Sequence, residues 1–395
     1  MTRVMQILFF AATGTTVNVL LHYYLWTRLV RDPRWPAPWD RVGTGVVVAL
    51  ALLAPLTMFA GRVVWPALGQ ALAWPGFVWM GTMFLLFCAL VAMDALRALG
   101  LAGLKLAGRP DLLVDPERRQ ALAAGMAVAG AAVAGTLSTV AVRRMGEGAE
   151  VKTVEVDLPR LPRALDGLVV AQLTDIHVGS TLGKDYVQYL VDRTNGMVPD
   201  VVAITGDLVD GSPEELGDAV NELARLRARL GIYFVTGNHE YYSGVDEWLA
   251  YLRGLGIRVL RNERVTLEQD GAALDLAGID DFNADRFGNG HGADLPRALL
   301  GRDPARELLL LAHQPRAVRE AESHGVGLML SGHTHGGQIW PWNYAVRLQQ
   351  PYVEGLYQHG RSQLYVSPGT GYWGPPMRLG TRAEITRLVL KAPQT

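Results

Sequence analysis

Four stretches of the chain, residues 5–25, 43–61, 77–93 and 121–142, contain no Asp, Glu, Lys or Arg. Each is close to the roughly 20 apolar residues that a helix needs to cross a bilayer core, where the working range is about 17–25. Soluble proteins seldom bury four uncharged runs in succession, so the pattern predicts a transmembrane domain of four helices over residues 1–143. The first run also holds Thr13, Thr15, Thr16, Asn18 and His22, polar enough to face neighbouring helices, with His22 as a packing or interfacial residue. Trp26, Trp35, Trp39, Trp65, Trp74 and Trp79 lie at or just beyond the run ends, where aromatic belts are expected. The Ala- and Gly-rich stretch 129–135 in the fourth run permits close helix packing.

Basic residues give the expected sidedness. Arg28, Arg31, Arg34 and Arg41 lie between the first two runs, and Arg97, Lys105, Arg109, Arg118 and Arg119 lie between the last two. The opposite side receives Arg3, Arg62, Arg143, Arg144 and Lys152. The excess puts these two loops in the cytoplasm and the chain beyond residue 143 on the extracytoplasmic side of the cell membrane. Arg118-Arg119 before the fourth run also reads as a twin-arginine export signal, which places the soluble part on the same side. The formal net charge is −1, which argues against a nucleic-acid partner. The single cysteine, Cys88, lies in an apolar run and excludes both an intramolecular disulfide framework and a cysteine-rich zinc site.

Residues 150–395 have the texture of a second, soluble domain. Short apolar runs at 168–173, 201–205 and 232–236 lead into Thr174-Asp175, Gly206-Asp207 and Gly237-Asn238. Between the last two, Ser212 and Glu215 form a capping box around Pro213, and Leu216, Val220, Leu223, Leu226 and Leu230 mark one helical face. Strand–helix–strand alternation implies a parallel sheet with functional loops at the carboxyl ends of its strands. A helix over 246–255 is expected next, then strands at 258–260, 264–268, 274–277, 308–311, 327–330, 363–366 and 385–390. Residues 281–294, rich in Gly, Asn and Asp, read as an inserted loop.

The apolar runs lead into the chemistry. Asp175-Ile176-His177, Gly206-Asp207-Leu208-Val209-Asp210, Gly237-Asn238-His239-Glu240, His313 and Gly332-His333-Thr334-His335 hold most of the histidines in the chain. In an extended chain alternate side chains point the same way, which would bring Asp175 together with His177 and His333 with His335. Asp207 can bridge two ions with its two oxygens, Asn238 offers a neutral carbonyl oxygen, and His313 adds an imidazole. These seven oxygen and nitrogen donors can form two four-ligand shells that share Asp207. Such ligands suit Mn, Fe, Zn or Co without choosing among them.

Taken singly, each block is unspecific; all five, in this order across residues 175–335, resemble the calcineurin-like metallophosphoesterase family, and the membrane-anchored bacterial branch in particular. The resemblance implies an α/β fold, a four-layer α/β/β/α metallophosphoesterase sandwich, here preceded by the four-helix transmembrane domain. It also implies a pair of divalent metal ions, one held by Asp175, His177, Asp207 and His335 and the other by Asp207, Asn238, His313 and His333. His239 resembles the family's catalytic histidine, placed to protonate or stabilise the leaving oxygen, while Asp210 and Glu240 orient the ligands. Two cations about 3.5–4 Å apart bind phosphoryl oxygens and supply a hydroxide nucleophile at neutral pH.

The expected function is that of a membrane-anchored, two-metal phosphoesterase acting on a phosphate ester or pyrophosphate bond. Its substrate would be a phosphorylated small molecule or lipid. Two readings stand beside it. One is a pyrophosphate hydrolase of the lipid A precursor UDP-2,3-diacylglucosamine, which would need a cytoplasmic site. The other is a non-catalytic membrane sensor whose phosphoesterase-like domain only binds its ligand. Trp340, Trp342, Tyr344, Tyr352, Tyr357, Tyr372 and Trp373 are candidates for a greasy substrate entrance, against the commoner alternative of core packing. His291, in the inserted loop, reads as exposed, and His324 and His359 as solvated.

Overall fold

The computed structural model describes residues 3–57, 66–108 and 115–394. Residues 58–61 of the second apolar run, together with Arg62, Trp65 and Arg109, lie outside the described residues. The chain divides into two compact units, Met1–Arg143 with Gly374–Met377 and Arg144–Trp373 with Arg378–Thr395.

In the first unit the apolar runs lie on helices α1 (Arg3–Trp26), α2 (Trp39–Pro55), α3 (Pro66–Leu106) and α4 (Pro116–Gly146). By length and composition two described stretches can cross a membrane, Leu68–Leu106 and Pro116–Gly146, where the sequence pattern predicts four. α2 is described over only 17 residues, and α1 carries the Thr, Asn and His cluster. The run at 77–93 is the middle of a longer helix, because the Ala- and Leu-rich flanks on either side continue it to 41 residues. Polar groups of α1 find partners on its neighbours. Asn18 Nδ2 donates to the Ala51 carbonyl (2.9 Å) and Trp79 Nε1 to His22 Nε2 (3.2 Å). His22 is buried, in keeping with a packing role. Apolar side chains meanwhile face outwards, with Leu20 62%, Leu96 69% and Leu106 90% exposed, an exposure that water penalises.

The second unit is a mixed α/β fold built on two six-stranded, largely parallel sheets. Its strands are β1 (Glu150–Asp157), β2 (Val169–Leu173), β3 (Val201–Ile204), β4 (Ile232–Phe234), β5 (Arg258–Val259) and β6 (Glu263–Gln269). They continue with β7 (Ala272–Gly278), β8 (Leu308–Leu311), β9 (Leu328–Ser331), β10 (Gly355–His359), β11 (Ser362–Val366) and β12 (Glu384–Lys391). One sheet has the order β1-β12-β2-β3-β4-β5 and the other β10-β11-β9-β8-β7-β6. β2 to β5 are mutually parallel, as are β7, β8, β9 and β11. The helices that follow the first strands are α5 (Lys184–Asn195), α6 (Pro213–Val220), α7 (Asn238–Tyr242) and α8 (Val245–Gly254).

Strand periodicity explains the packing. In β8, Leu309 and Leu311 join Val170, Val201, Leu276 and Leu330 in a cluster drawn from both sheets, while Leu308 and Leu310 face the other way with Met329, Val318 and Ala321. Both faces of β8 are therefore buried, which is why its sequence is an unbroken run of leucines. A third cluster covers the opposite side of the first sheet with Val187 and Leu190 of α5, Val220 of α6 and Trp248 and Leu252 of α8.

Two local expectations change. The predicted helical face after Ser212 is split: α6 stops at Val220 and a 3-10 turn carries the chain to Arg225 before Leu226 turns extended. Glu215 still closes the start of α6, accepting from the Ser212 backbone N–H at 3.0 Å. His291 is also not an exposed loop residue; its ring packs edge-on against Tyr241 and bonds Arg261 Nη2 through Nδ1 at 2.8 Å.

Candidate metal centre

Every predicted ligand lies just beyond the carboxyl end of a strand: Asp175 and His177 after β2, Asp207 after β3, Asn238 after β4, His313 after β8, and His333 and His335 after β9. The parallel order puts these ends on one rim, and backbone hydrogen bonds lace the loops together. The Asp175 N–H donates to Gly206 O (3.0 Å) and the His177 N–H to Asp207 O (3.1 Å). Close approach is what the motif glycines permit. A Cβ on Gly237 would collide with the Asp207 carboxylate, and one on Gly332 with the Asp175 carboxylate and the Thr174 hydroxyl.

The ligand loops are not extended. Asp175 (φ 52°), His177 (φ 53°), Asp207 (φ 52°), His333 (φ 71°) and His335 (φ 51°) all take the left-handed backbone conformation. The expectation that Asp175 pairs with His177 through strand alternation is corrected in its reason, because both residues turn left-handed, and the same spacing does not pair His333 with His335, which join different ligand groups. Each such non-glycine residue costs of order 1–3 kcal/mol and persists only where its surroundings impose it.

Two clusters result. In the first, His177 Nε2 is 3.1 Å from His335 Nε2, which is 3.4 Å from Asp175 Oδ1. In the second, His313 Nε2 is 3.1 Å from Asp207 Oδ2 and 3.2 Å from His333 Nδ1. Asp207 Oδ2 is also 3.9 Å from His177 Nε2, so this one oxygen stands between the clusters. Asn238 Oδ1 is buried with no hydrogen-bond partner among the described residues.

Partners behind the rings fix their tautomers. His313 Nδ1 donates to the Thr205 carbonyl (2.8 Å), and His177 Nδ1 to Asp210 Oδ2 (3.2 Å), which leaves both Nε2 atoms facing inwards. Asp210 uses its other oxygen on His239 Nδ1 at 2.5 Å. His177, Asp210 and His239 are thus close enough to form a third possible ligand group, but both Asp210 oxygens are already engaged by imidazoles. Glu240, fully buried, accepts from the backbone N–H groups of Gly237 (2.6 Å), Leu208 (2.7 Å) and Asp207 (3.1 Å).

The electrostatics of the bare chain call for cations. Burial pushes Asp175 up, helped by the charge of Asp207, and the same two causes lift Glu240 to about 7. Burial opposes charge on His239, yet the Asp207 charge and the Asp210 hydrogen bond raise it to about 9. His313 is likewise raised well above its usual value by Asp207 against the effect of burial. Burial and the charge of His313 lower His333 to about 3, and burial with the charge of His177 holds His335 well below its ordinary value. The site therefore combines buried carboxylates, imidazoles held neutral at His333 and His335 but drawn towards charge at His313 by Asp207, and an orphaned amide oxygen. Nitrogen donors at about 2.0–2.1 Å from one ion lie roughly 3 Å apart, as the facing imidazoles do here. The donor set fits two divalent cations.

One residue near the site carried no sequence signal. Arg378 is fully buried, and its hydrogen bonds among the described residues go to main-chain carbonyls. Its Nη1 donates to the carbonyls of His335 (2.8 Å) and Pro368 (2.8 Å), and its Nη2 to those of Gly369 (3.3 Å) and Gly371. Gly371 in turn donates to the Asp175 carbonyl at 3.0 Å. Arg378 thus ties the loop of His335 to the loop behind Asp175, and burial lowers its own pKa to about 10.

Residues 168–337 match the family model described as calcineurin-like phosphoesterase. A bovine (Bos taurus) protein described as a transmembrane protein with metallophosphoesterase domain is 45% identical over 297 residues, covering 72% of this chain and 66% of its own length. An uncharacterized metallophosphoesterase of Helicobacter pylori strain J99 is 42% identical over 243 residues, covering 61% of this chain and 64% of its own length. The chain thus spans less than two thirds of either relative. An uncharacterized metallophosphoesterase of Aquifex aeolicus is 34% identical over 243 residues, covering 61% of this chain and 91% of its own length. These relatives come from animals and bacteria alike. With the ligand motifs in their order and a relative matched over nearly its full length, this chain belongs to the calcineurin-like metallophosphoesterase family.

Proposed function

We propose that the chain is a membrane-anchored hydrolase that cleaves a phosphate ester or pyrophosphate bond with two divalent ions. The observation that carries this reading is the position of Asp207 between two clusters of buried donors. Asp175, His177, Asp207 and His335 would hold one ion, and Asp207, Asn238, His313 and His333 the other. Bound cations at such a site neutralise phosphoryl oxygens and lower the pKa of water. The chain's own residues do the rest. Asp210 fixes the rings of His177 and His239 with one oxygen each. Because His239 gives its Nδ1 proton to Asp210, its Nε2 is left to face the rim, 4.0 Å from Asp207 Oδ2, and protonates the departing oxygen. Glu240 holds the Asp207 and Gly237 backbones in register.

In this reading α1 to α4 form the anchor, with the outward-facing leucines as lipid contacts, and the excess of basic residues in two loops supports a catalytic unit outside the cytoplasm. That side disfavours the lipid A precursor as substrate, and the complete donor set disfavours a sensor without turnover. A panel of phosphomonoesters, phosphodiesters and pyrophosphates, offered to the detergent-solubilised chain with Mn²⁺, tests the reading. Hydrolysis abolished by chelator is expected, and a panel with no turnover overturns it. Within that assay His239→Asn is expected to lower kcat by about 10²–10⁴-fold while bound metal is retained, since His239 holds no ion. Metal loss in that variant would assign His239 to the ligand set instead.

A further inference from the structure

We infer that the leaving group of the substrate is apolar and is received by an aromatic wall beside His239. The inference rests on the phosphoesterase reading for the direction in which the leaving group departs. The His239 ring is met edge-on by Tyr242, with centroids 5.4 Å apart, and by Trp373 at 5.7 Å. Phe287 extends the wall behind Tyr242 at 5.6 Å. Tyr242 is 65% and Trp373 54% exposed, so these faces are available to a ligand. Most exposed large apolar side chains of this unit follow the carboxyl ends of β4, β7, β9 and β11, of which β4 and β9 also lead into ligand candidates. Core packing does not account for Trp373, nor for Trp340, Trp342 and Tyr344, all at least half exposed. Tyr372, by contrast, is buried.

The wall is built rather than incidental. Gln338, the last residue of the motif that presents His333 and His335, adopts φ 49°. Its Oε1 accepts from the Trp373 N–H and its Nε2 donates to the Trp373 carbonyl, both at 3.0 Å. The loop that supplies two metal-ligand candidates therefore also holds the Trp373 backbone from which the indole projects. On the other side, Tyr242 lies three residues after His239 on α7, which puts both on one helical face. A leaving alcohol protonated by His239 departs between Tyr242 and Trp373. An alkyl or aryl group there buries area against rings, whereas a charged or heavily hydroxylated one loses hydration without a partner.

The test uses the full chain in detergent with Mn²⁺ and two matched series. Methyl to butyl phosphates report turnover, and methyl to butyl phosphonates, which have no ester bond to break, report binding by calorimetry. Partial burial of each methylene is expected to raise phosphonate affinity about two-fold, or about eight-fold from methyl to butyl. In Trp373→Ala and Tyr242→Ala the butyl-to-methyl ratio should fall to about two-fold or less. Trp373→Phe should restore most of it, and Leu300→Ala, an exposed residue outside the wall, should keep all of it. A flat series in the parent chain, no detectable binding by any member, or an unchanged ratio in both alanine variants overturns the inference. Phosphonates that bind with the expected slope while no ester is cleaved would sink the phosphoesterase reading and leave the wall standing. Esters cleaved with no dependence on chain length would do the reverse.

Discussion

Asp207→Asn is expected to reduce phosphoester hydrolysis by about 10³-fold or more. The reason is position. Asp207 Oδ2 lies 3.1 Å from His313 Nε2 and 3.9 Å from His177 Nε2, so one carboxylate serves both donor clusters. An amide keeps the shape and the acceptor for the His239 N–H, now at 2.9 Å from Oδ1, but removes the charge. Losing one electrostatic contributor at a preorganised site typically costs about 10²–10³-fold, and a residue shared between two ions exceeds that. The measurement is kcat on the best substrate of the panel, with circular dichroism to confirm that the variant is folded. A folded Asp207→Asn chain that retains more than about a tenth of parent activity would rule out a shared ligand at this position.

The second large effect is on stability. Arg378→Leu removes the donor from the carbonyls of Pro368 and Gly371, while those of His335 and Gly369 keep the backbone N–H groups of Gln338 and Glu384. Each buried acceptor left unmade costs about 1–3 kcal/mol, offset in part because a guanidinium no longer has to be desolvated. A net loss of about 3 kcal/mol is expected, which for a unit of this size lowers Tm by about 6–12 °C. Because Arg378 bonds the backbone of His335, Arg378→Leu should also weaken metal-induced stabilisation. Arg378→Lys, with the charge but fewer donors, should fall between. Thermal unfolding with and without Mn²⁺ reads both effects. An unchanged Tm in Arg378→Leu would mean that these carbonyls are satisfied in another way.

The parts of this site that could be read from the sequence are those in which a local pattern carries the chemistry. Each ligand block follows an apolar strand, and glycines mark where loops must touch, as Gly237 and Gly332 do. The geometry behind the pattern was less legible. Alternation in an extended chain brings Asp175 and His177 together on paper, but left-handed backbone at both residues does so in the structure. Arg378 gave no signal because its partners are main-chain carbonyls, which have no sequence identity. The bond from Gln338 to Trp373 joins residues 35 apart, beyond any local periodicity. β1 escapes a strand expectation because it is an edge strand with four charged residues in eight, and β10 because it is a short edge strand with alternately exposed residues. In the first unit, an uncharged run marked where a helix would be but not its length, since Ala and Leu beyond 77–93 carry α3 on to Leu106.

The central claim, that side chains from separate loops form a cradle for two ions, is tested most directly by counting metal. Elemental analysis of the full-length chain, purified in detergent and dialysed against Mn²⁺-containing buffer followed by metal-free buffer, should give two ions per chain. No retained metal, together with phosphoester hydrolysis that persists in excess chelator, would contradict the account.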